Sequence, residues 1–132
     1  AIKGMRTVQA PAGRFAIGSY GDTKARLVLA KNPAGWAESL LVMQSDPVIL
    51  LGDLNLTMYS PEYRRFTRGL GLQNARQGFG PLGTWPTWVP FARLPLDQCL
   101  LRGDLAVVSC ASGPDIGSDH LPLIVDLYIA PN

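Results

Sequence analysis

The stretch Pro47-Val48-Ile49-Leu50-Leu51-Gly52-Asp53-Leu54-Asn55 decides the fold. Val48 to Leu51 are apolar without alternation, the pattern of a strand covered on both faces in the middle of a layered sheet. Gly52 breaks the run, and Asp53 and Asn55 follow two residues apart. On an extended strand such residues point the same way. A carboxylate and a carboxamide are therefore expected to leave the strand together and face one spot. Functional groups of open α/β sheets collect at strand ends of this kind. The competing reading is a plain strand-to-loop turn, because Gly, Asp and Asn all favour turns.

With 132 residues, the chain has length for one domain with a modest core. A hydrophobic fraction of 47% with 17% charged residues is that of a folded globular protein, not a disordered one. Fourteen Gly and eleven Pro imply many turns and short elements, which argues against a helical bundle. No apolar run approaches the roughly 20 residues of a membrane span. Lys3 and Arg6 are followed by no apolar core segment, so no signal peptide is read and a cytoplasmic location is expected. Ala1 in place of Met suggests a processed form or part of a longer protein. The net charge of +2 neither demands nor excludes nucleic acid. Its distribution says more: Arg64, Arg65, Arg68 and Arg76 cluster in one stretch, and five acids lie between Asp97 and Asp126. That pairing suits a polyanion met by a bound cation, although a solvated helix face also accounts for the arginines. Cys99 and Cys110 have no zinc-like spacing and are read as buried free thiols.

Outward from the central strand, Ile2 to Gln9 and Arg14 to Tyr20 are expected strands joined by a tight turn at Gly13. Residues Gly21 to Ala30 are ambiguous. Asn32-Pro33 marks a helix start, with Trp36, Leu40 and Leu41 as its apolar stripe. Ser60-Pro61-Glu62-Tyr63 opens a second helix that buries Tyr63, Phe66 and Leu70 and ends at Gly69 and Gly71. Asn74 to Pro90 is a long Gly, Pro and Trp loop, of a length that points to function. Leu94 to Leu101 reads as a strand interrupted by Asp97, with Leu105 to Cys110 as its partner, and Leu121 to Ala130 as the last strand. The pattern predicts an α/β fold.

Three polar points interrupt the apolar strands: Asp53 with Asn55, Asp97, and Ser118-Asp119-His120. A carboxylate inside a buried strand is costly unless paired. His120 is the only histidine. A bond between Asp97 and a ring nitrogen of His120 would satisfy both groups, fix the tautomer and raise the imidazole pKa. Taken one at a time, each residue has a blander role as a loop cap or an exposed side chain.

Together, Gly52-Asp53-Leu54-Asn55, then Leu96-Asp97-Gln98, then Gly117-Ser118-Asp119-His120-Leu121-Pro122 resemble the ordered C-terminal motifs of the endonuclease/exonuclease/phosphatase superfamily. These are metal-dependent phosphoesterases that include DNase I-like nucleases. The resemblance covers about residues 14 to 129 and includes Thr84-Trp85-Pro86. It implies half of a four-layer α/β/β/α sandwich, a mixed, mainly antiparallel sheet with helices on one face. It further implies that Asp53 orients and deprotonates the attacking water, that Asn55 holds the water or the phosphate, and that His120 bonds a non-bridging phosphate oxygen while Asp97 orients it. Tyr20 would touch the phosphate. Asp119, with Asp53 and Asn55, would hold Mg²⁺ or Mn²⁺, and Ser118, Trp85, Trp88 and Arg93 would contact substrate.

Members of that superfamily also carry an N-terminal half with an early Asn and a metal-ligating Glu. Here the only glutamates, Glu38 and Glu62, fall on expected helices, so the chain reads as the second half of the sandwich. An exposed apolar sheet face is then expected, on which two copies would pack as a homodimer. The functional expectation is a divalent-metal-dependent phosphodiesterase acting on nucleic acid or another phosphate ester. The alternative is a non-catalytic remnant that binds nucleic acid or a protein partner. Specificity among phosphate esters would reside in loops such as Gln77 to Pro90.

Overall fold

The computed structural model describes residues 2–10, 13–20 and 26–30 as backbone strands and residues 47–129 with their side chains. β1 (Ile2–Ala10), β2 (Gly13–Tyr20), β3 (Arg26–Ala30), β4 (Val48–Asp53), β5 (Gln73–Asn74) and β6 (Asp97–Arg102) form one mixed sheet in the order β1-β2-β3-β4-β6-β5. Only the β3–β4 pair is parallel among these neighbours. The two expected N-terminal strands are present, and the ambiguous segment ends as β3. The helix expected from Asn32 lies outside the described residues.

β4 owes its central place to its lack of alternation. Val48 and Leu50 pack with Leu100, Tyr63, Leu70 and Leu72 on the helical side, whereas Ile49 and Leu51 pack with Cys99 and Leu101 on the other. Val48, Leu50 and Leu100 are wholly buried, each worth about 1.5–3 kcal/mol of apolar burial. The helix that covers the first side, α1 (Pro61–Leu70), starts where Ser60 Oγ accepts the Tyr63 N–H at 3.1 Å. It runs past Gly69 and stops at Gly71, whose φ of 65° is the left-handed cap. The Leu72 N–H then reaches back to the Thr67 carbonyl at 2.8 Å and drops Leu72 into the core.

The other face is covered differently from expectation. β7 (Leu105–Ser112) does not pair with β6; it pairs antiparallel with β8 (Leu123–Ile129) in a separate two-stranded sheet. The reason lies in its pattern: Leu105 and Val107 alternate with exposed Ala106 and Val108, which suits a strand with one solvent face. Leu105, Val107, Leu123, Val125, Leu127 and Ile129 close down on Ile49, Leu51, Cys99 and Leu101, giving sheet on sheet. Coverage is partial, and a groove of about 570 Å³ remains between Leu51, Cys99, Leu123 and Ile129. Cys99 and Cys110 are both free and buried, as expected. No described helix is long and apolar enough to cross a membrane.

Candidate active site at two strand ends

The last residue of β4 and the first of β6 stand opposite each other in the antiparallel ladder, Asp53 beside Asp97. Asp97 thus opens its strand instead of interrupting it, and its carboxylate escapes the cost of mid-strand burial. Both side chains lie on the face that carries Leu51 and Cys99, since alternate residues share a face. Into this corner the loop before β8 delivers His120. Its Nδ1 meets Asp97 Oδ2 at 2.7 Å, and its Nε2 lies 3.9 Å from Asp53 Oδ2. The donor atoms of the three residues lie within 4.8 Å of one another, and each side chain is partly open to solvent.

The loop from Gly83 to Leu94 fixes this geometry. Thr84 is fully buried; its carbonyl accepts the Leu121 N–H at 2.8 Å, and its Oγ1 accepts the Asp97 N–H at 3.4 Å. One residue therefore grips Asp97 and Leu121, the residue that follows His120. Thr87 adds bonds to the Asp119 carbonyl at 3.0 Å and, through its hydroxyl, to the Ser118 carbonyl at 2.9 Å. At Gly83 a Cβ would stand 2.5 Å from the Arg93 carbonyl, so only glycine allows the two arms of the loop to meet. Sequence reading quoted Thr84 only within Thr84-Trp85-Pro86 and gave neither it nor Thr87 a role; the signal available was a hydroxyl residue on each side of Trp85-Pro86.

The charge state of His120 follows from its surroundings. Burial alone would lower its pKa, but the hydrogen bond it donates to Asp97, then the charges of Asp97, Asp53 and Asp119, overcome this and raise it above the ordinary value. With Nδ1–H given to a carboxylate, Nε2 is the nitrogen that faces the open corner. The arrangement can offer a proton from Nε2 and a carboxylate oxygen from Asp53 to the same small space.

The remaining expected site residues fall as follows. Asn55 does not continue the strand beside Asp53: it has a φ of 51°, is exposed, and its backbone N–H bonds Asp53 Oδ1 at 2.9 Å. The strand-to-loop turn is thus real, and it holds the Asp53 carboxylate in place. Asp119 is exposed beside the corner, outside the group of mutually close donors. Ser118 Oγ accepts the His120 N–H at 3.2 Å. The Trp85 ring lies 6.4 Å from the imidazole and 6.3 Å edge-on from Trp88. Arg93 Nη2 donates to the Thr87 carbonyl at 2.6 Å. Tyr20 ends β2, and its side chain lies outside the described residues.

As to a cation, the free donors are hard oxygens: Asp53 Oδ2 faces the corner, and the Asp119 carboxylate is at its edge. Oxygen donors suit Mg²⁺ or Mn²⁺ rather than a soft metal. Asp97 Oδ2 is committed to His120, so it fits an orienting role better than a ligand's.

Comparison with known proteins follows this geometry. The model of the Endonuclease/Exonuclease/phosphatase family matches residues 27–120. Among solved structures, a family protein from Leptotrichia buccalis superposes with a TM-score of 0.71 at 15% identity, covering 98% of this chain and 62% of that one. A family protein from Bacteroides vulgatus gives 0.66 at 19% identity, covering 89% and 55%. The human nocturnin catalytic domain, solved with a bound sulfate anion, gives 0.60 at 17% identity, covering 97% and 59%. The chain thus spans less than two thirds of the length of each. No curated protein matches its sequence. By the family match over most of its length, and by a fold shared with solved members, this chain belongs to the endonuclease/exonuclease/phosphatase family.

Proposed function

We propose that the corner between β4 and β6 is a metal-dependent phosphoesterase site that hydrolyses phosphodiesters, with nucleic acid as its substrate. The observation that carries this is the Asp97–His120 bond at 2.7 Å with the free ring nitrogen turned to Asp53. Asp97 orients His120 and keeps it charged, so that Nε2 donates to a phosphoryl oxygen as negative charge gathers there. Asp53, steadied by the Asn55 N–H, accepts the proton of the attacking water. Asp53 and Asp119, with the Asn55 amide oxygen, would hold Mg²⁺ or Mn²⁺. Such an ion, when bound, supplies positive charge against the phosphate. Ser118 positions His120, Arg93 and Trp85 wall the corner, and Tyr20, the last residue of β2, would touch the phosphate.

The whole chain is read as one domain equivalent to the C-terminal half of the family fold. Self-association of two copies through the sheet face left uncovered is part of the same reading, and a monomer by light scattering at micromolar concentration would refute it. The activity is tested with bis-p-nitrophenyl phosphate and plasmid DNA at millimolar Mg²⁺, against Asp53→Ala and His120→Ala. Hydrolysis that needs the metal and both side chains is expected. No hydrolysis, or hydrolysis that survives both substitutions, transfers the chain to the alternative of a non-catalytic binding module.

A further inference from the structure

We propose that Trp88 and Phe91 form a stacking platform for an unpaired nucleobase, so that the phosphate ester reaching His120 belongs to a nucleotide unit and not to a duplex. The inference rests on the phosphoesterase reading and adds the substrate class. Phe91 is 94% exposed and Trp88 is 66% exposed, three residues apart on one loop with Leu94 also exposed. Single apolar side chains at a surface need no account, but two large exposed rings on one loop, with Trp88 joined through Trp85 to the catalytic corner, do. The loop that carries them is not free to fold them away. It is tied to the Asp119 and Ser118 carbonyls through Thr87 and closed by the Arg93–Thr87 bond. Trp85 forms the bridge, one ring-to-ring step of 6.4 Å from His120 and a second of 6.3 Å to Trp88. A rigid, preformed aromatic surface pays little ordering entropy when it binds.

Charge decides between occupants. No lysine occurs between residues 47 and 129, and the acids that act on His120 are Asp97, Asp53 and Asp119, with Arg93 as the cation of the loop. Duplexes are held mainly through phosphates by a cationic track, and anionic membranes also need basic side chains. Among the described residues no such track is placed at this corner, the exposed Arg64, Arg65 and Arg68 lying on α1. Affinity must then come from the face of a base, which a duplex hides and a single strand or free nucleotide presents.

The test is fluorescence anisotropy of a labelled eight-nucleotide single strand and of its duplex, in EDTA so that binding is read without cleavage. The expected result is tighter binding of the single strand, a shallow salt dependence, and a loss of about fivefold to a hundredfold in Trp88→Ala and in Phe91→Ala. Displacement by a mononucleotide at comparable concentration would mark free nucleotides as the source of the base, and displacement only by strands would mark single-stranded nucleic acid. Equal or stronger binding of the duplex, unchanged affinity in both variants, or binding only to phosphatidylcholine vesicles would overturn the platform. Because binding is read apart from hydrolysis, an inactive chain that still prefers single strands would refute the catalytic reading and leave the platform standing.

Discussion

Two polar clusters lie one residue apart on β6 and behave in opposite ways. Asp97 belongs to the open corner, where Nε2 of His120 and Asp53 Oδ2 face each other across 3.9 Å without a bond. Gln98, its neighbour, is wholly buried and saturated. It donates to the Leu56 and Pro95 carbonyls at 2.9 and 2.6 Å, and accepts from Arg76 Nη1 at 3.0 Å and Asn74 Nδ2 at 3.3 Å. Asn74 also donates to the Tyr63 hydroxyl at 2.6 Å, tying α1 into the same network. A buried polar group left unpaired is expensive, and here the Gln98 amide is fully paired while the buried Arg76 Nε beside it has no partner among the described residues. The first cluster leaves His120 Nε2 and Asp53 Oδ2 unspent, and unspent capacity is what a substrate can use. Structure and chemistry are thus assigned to opposite faces of a single strand.

That division can be broken most sharply at His120. His120→Ala is expected to lower kcat by about 10²–10⁴ with little change in melting temperature, because the side chain is outside both core clusters. Equal loss of stability and activity would erase the contrast. Gln98→Leu should do the reverse. With a bond of the Arg76 guanidinium removed at a site only 2% exposed, unfolding in urea is expected to become easier by about 2–4 kcal/mol. A loss under about 0.5 kcal/mol would show that the network is decorative.

A third test addresses the buried side by pH. Burial, then the neighbouring Cys110, push the Cys99 thiol up to about 12, with Arg76 opposing. Its folded value lies above the unfolded one, so its contribution is intact below the unfolded pKa and is lost as pH rises toward the folded value. Stability should therefore fall between the ordinary thiol value of 9.0 and about 12, and Cys99→Ala should flatten that limb in denaturant titrations. Rapid reaction of Cys99 with a disulfide reagent at neutral pH in the native protein would contradict its burial.

The smallest effect is the most local. In metal-free protein, Asp97→Asn should bring the His120 titration, read by imidazole NMR, down from its raised position toward or below the ordinary value, because burial is then opposed only by Asp53 and Asp119. The sign for stability follows: the raised value contributes below the unfolded pKa and is lost as pH climbs through the folded one, so the variant should lose this contribution in mild acid. An unmoved titration would mean that the 2.7 Å contact does not govern the imidazole.

How much of this was legible beforehand depended on distance along the chain. The unbroken apolar run Val48–Leu51 and the Ser60-Pro61 cap act locally, and both elements form where expected. The Asp97–His120 pair was legible because a lone histidine and an otherwise costly carboxylate solve each other's problem. Asn55 was misplaced because a left-handed turn and an extended strand share its dipeptide context, and only the pull of Asp53 on its N–H decides between them. Arg76 was grouped with Arg64, Arg65 and Arg68, which do lie exposed on α1, yet it is buried, because its acceptor Gln98 lies 22 residues away on another strand. The alternation of β7 marked a strand with one solvent face, but it did not name β8 as the partner.

The ladder that sets Asp53 against Asp97 and Gly52 against Gln98 has a consequence for folding. Sliding β6 by a single position would carry the carboxylate to the helical side, toward the guanidinium of Arg76, and present the amide to the imidazole. The misaligned molecule would gain an ion pair and lose its chemistry outright, with no graded middle ground. Whatever pins that alignment, above all the grip of Thr84 on the first residue of β6, guards function by the same bond that guards the fold.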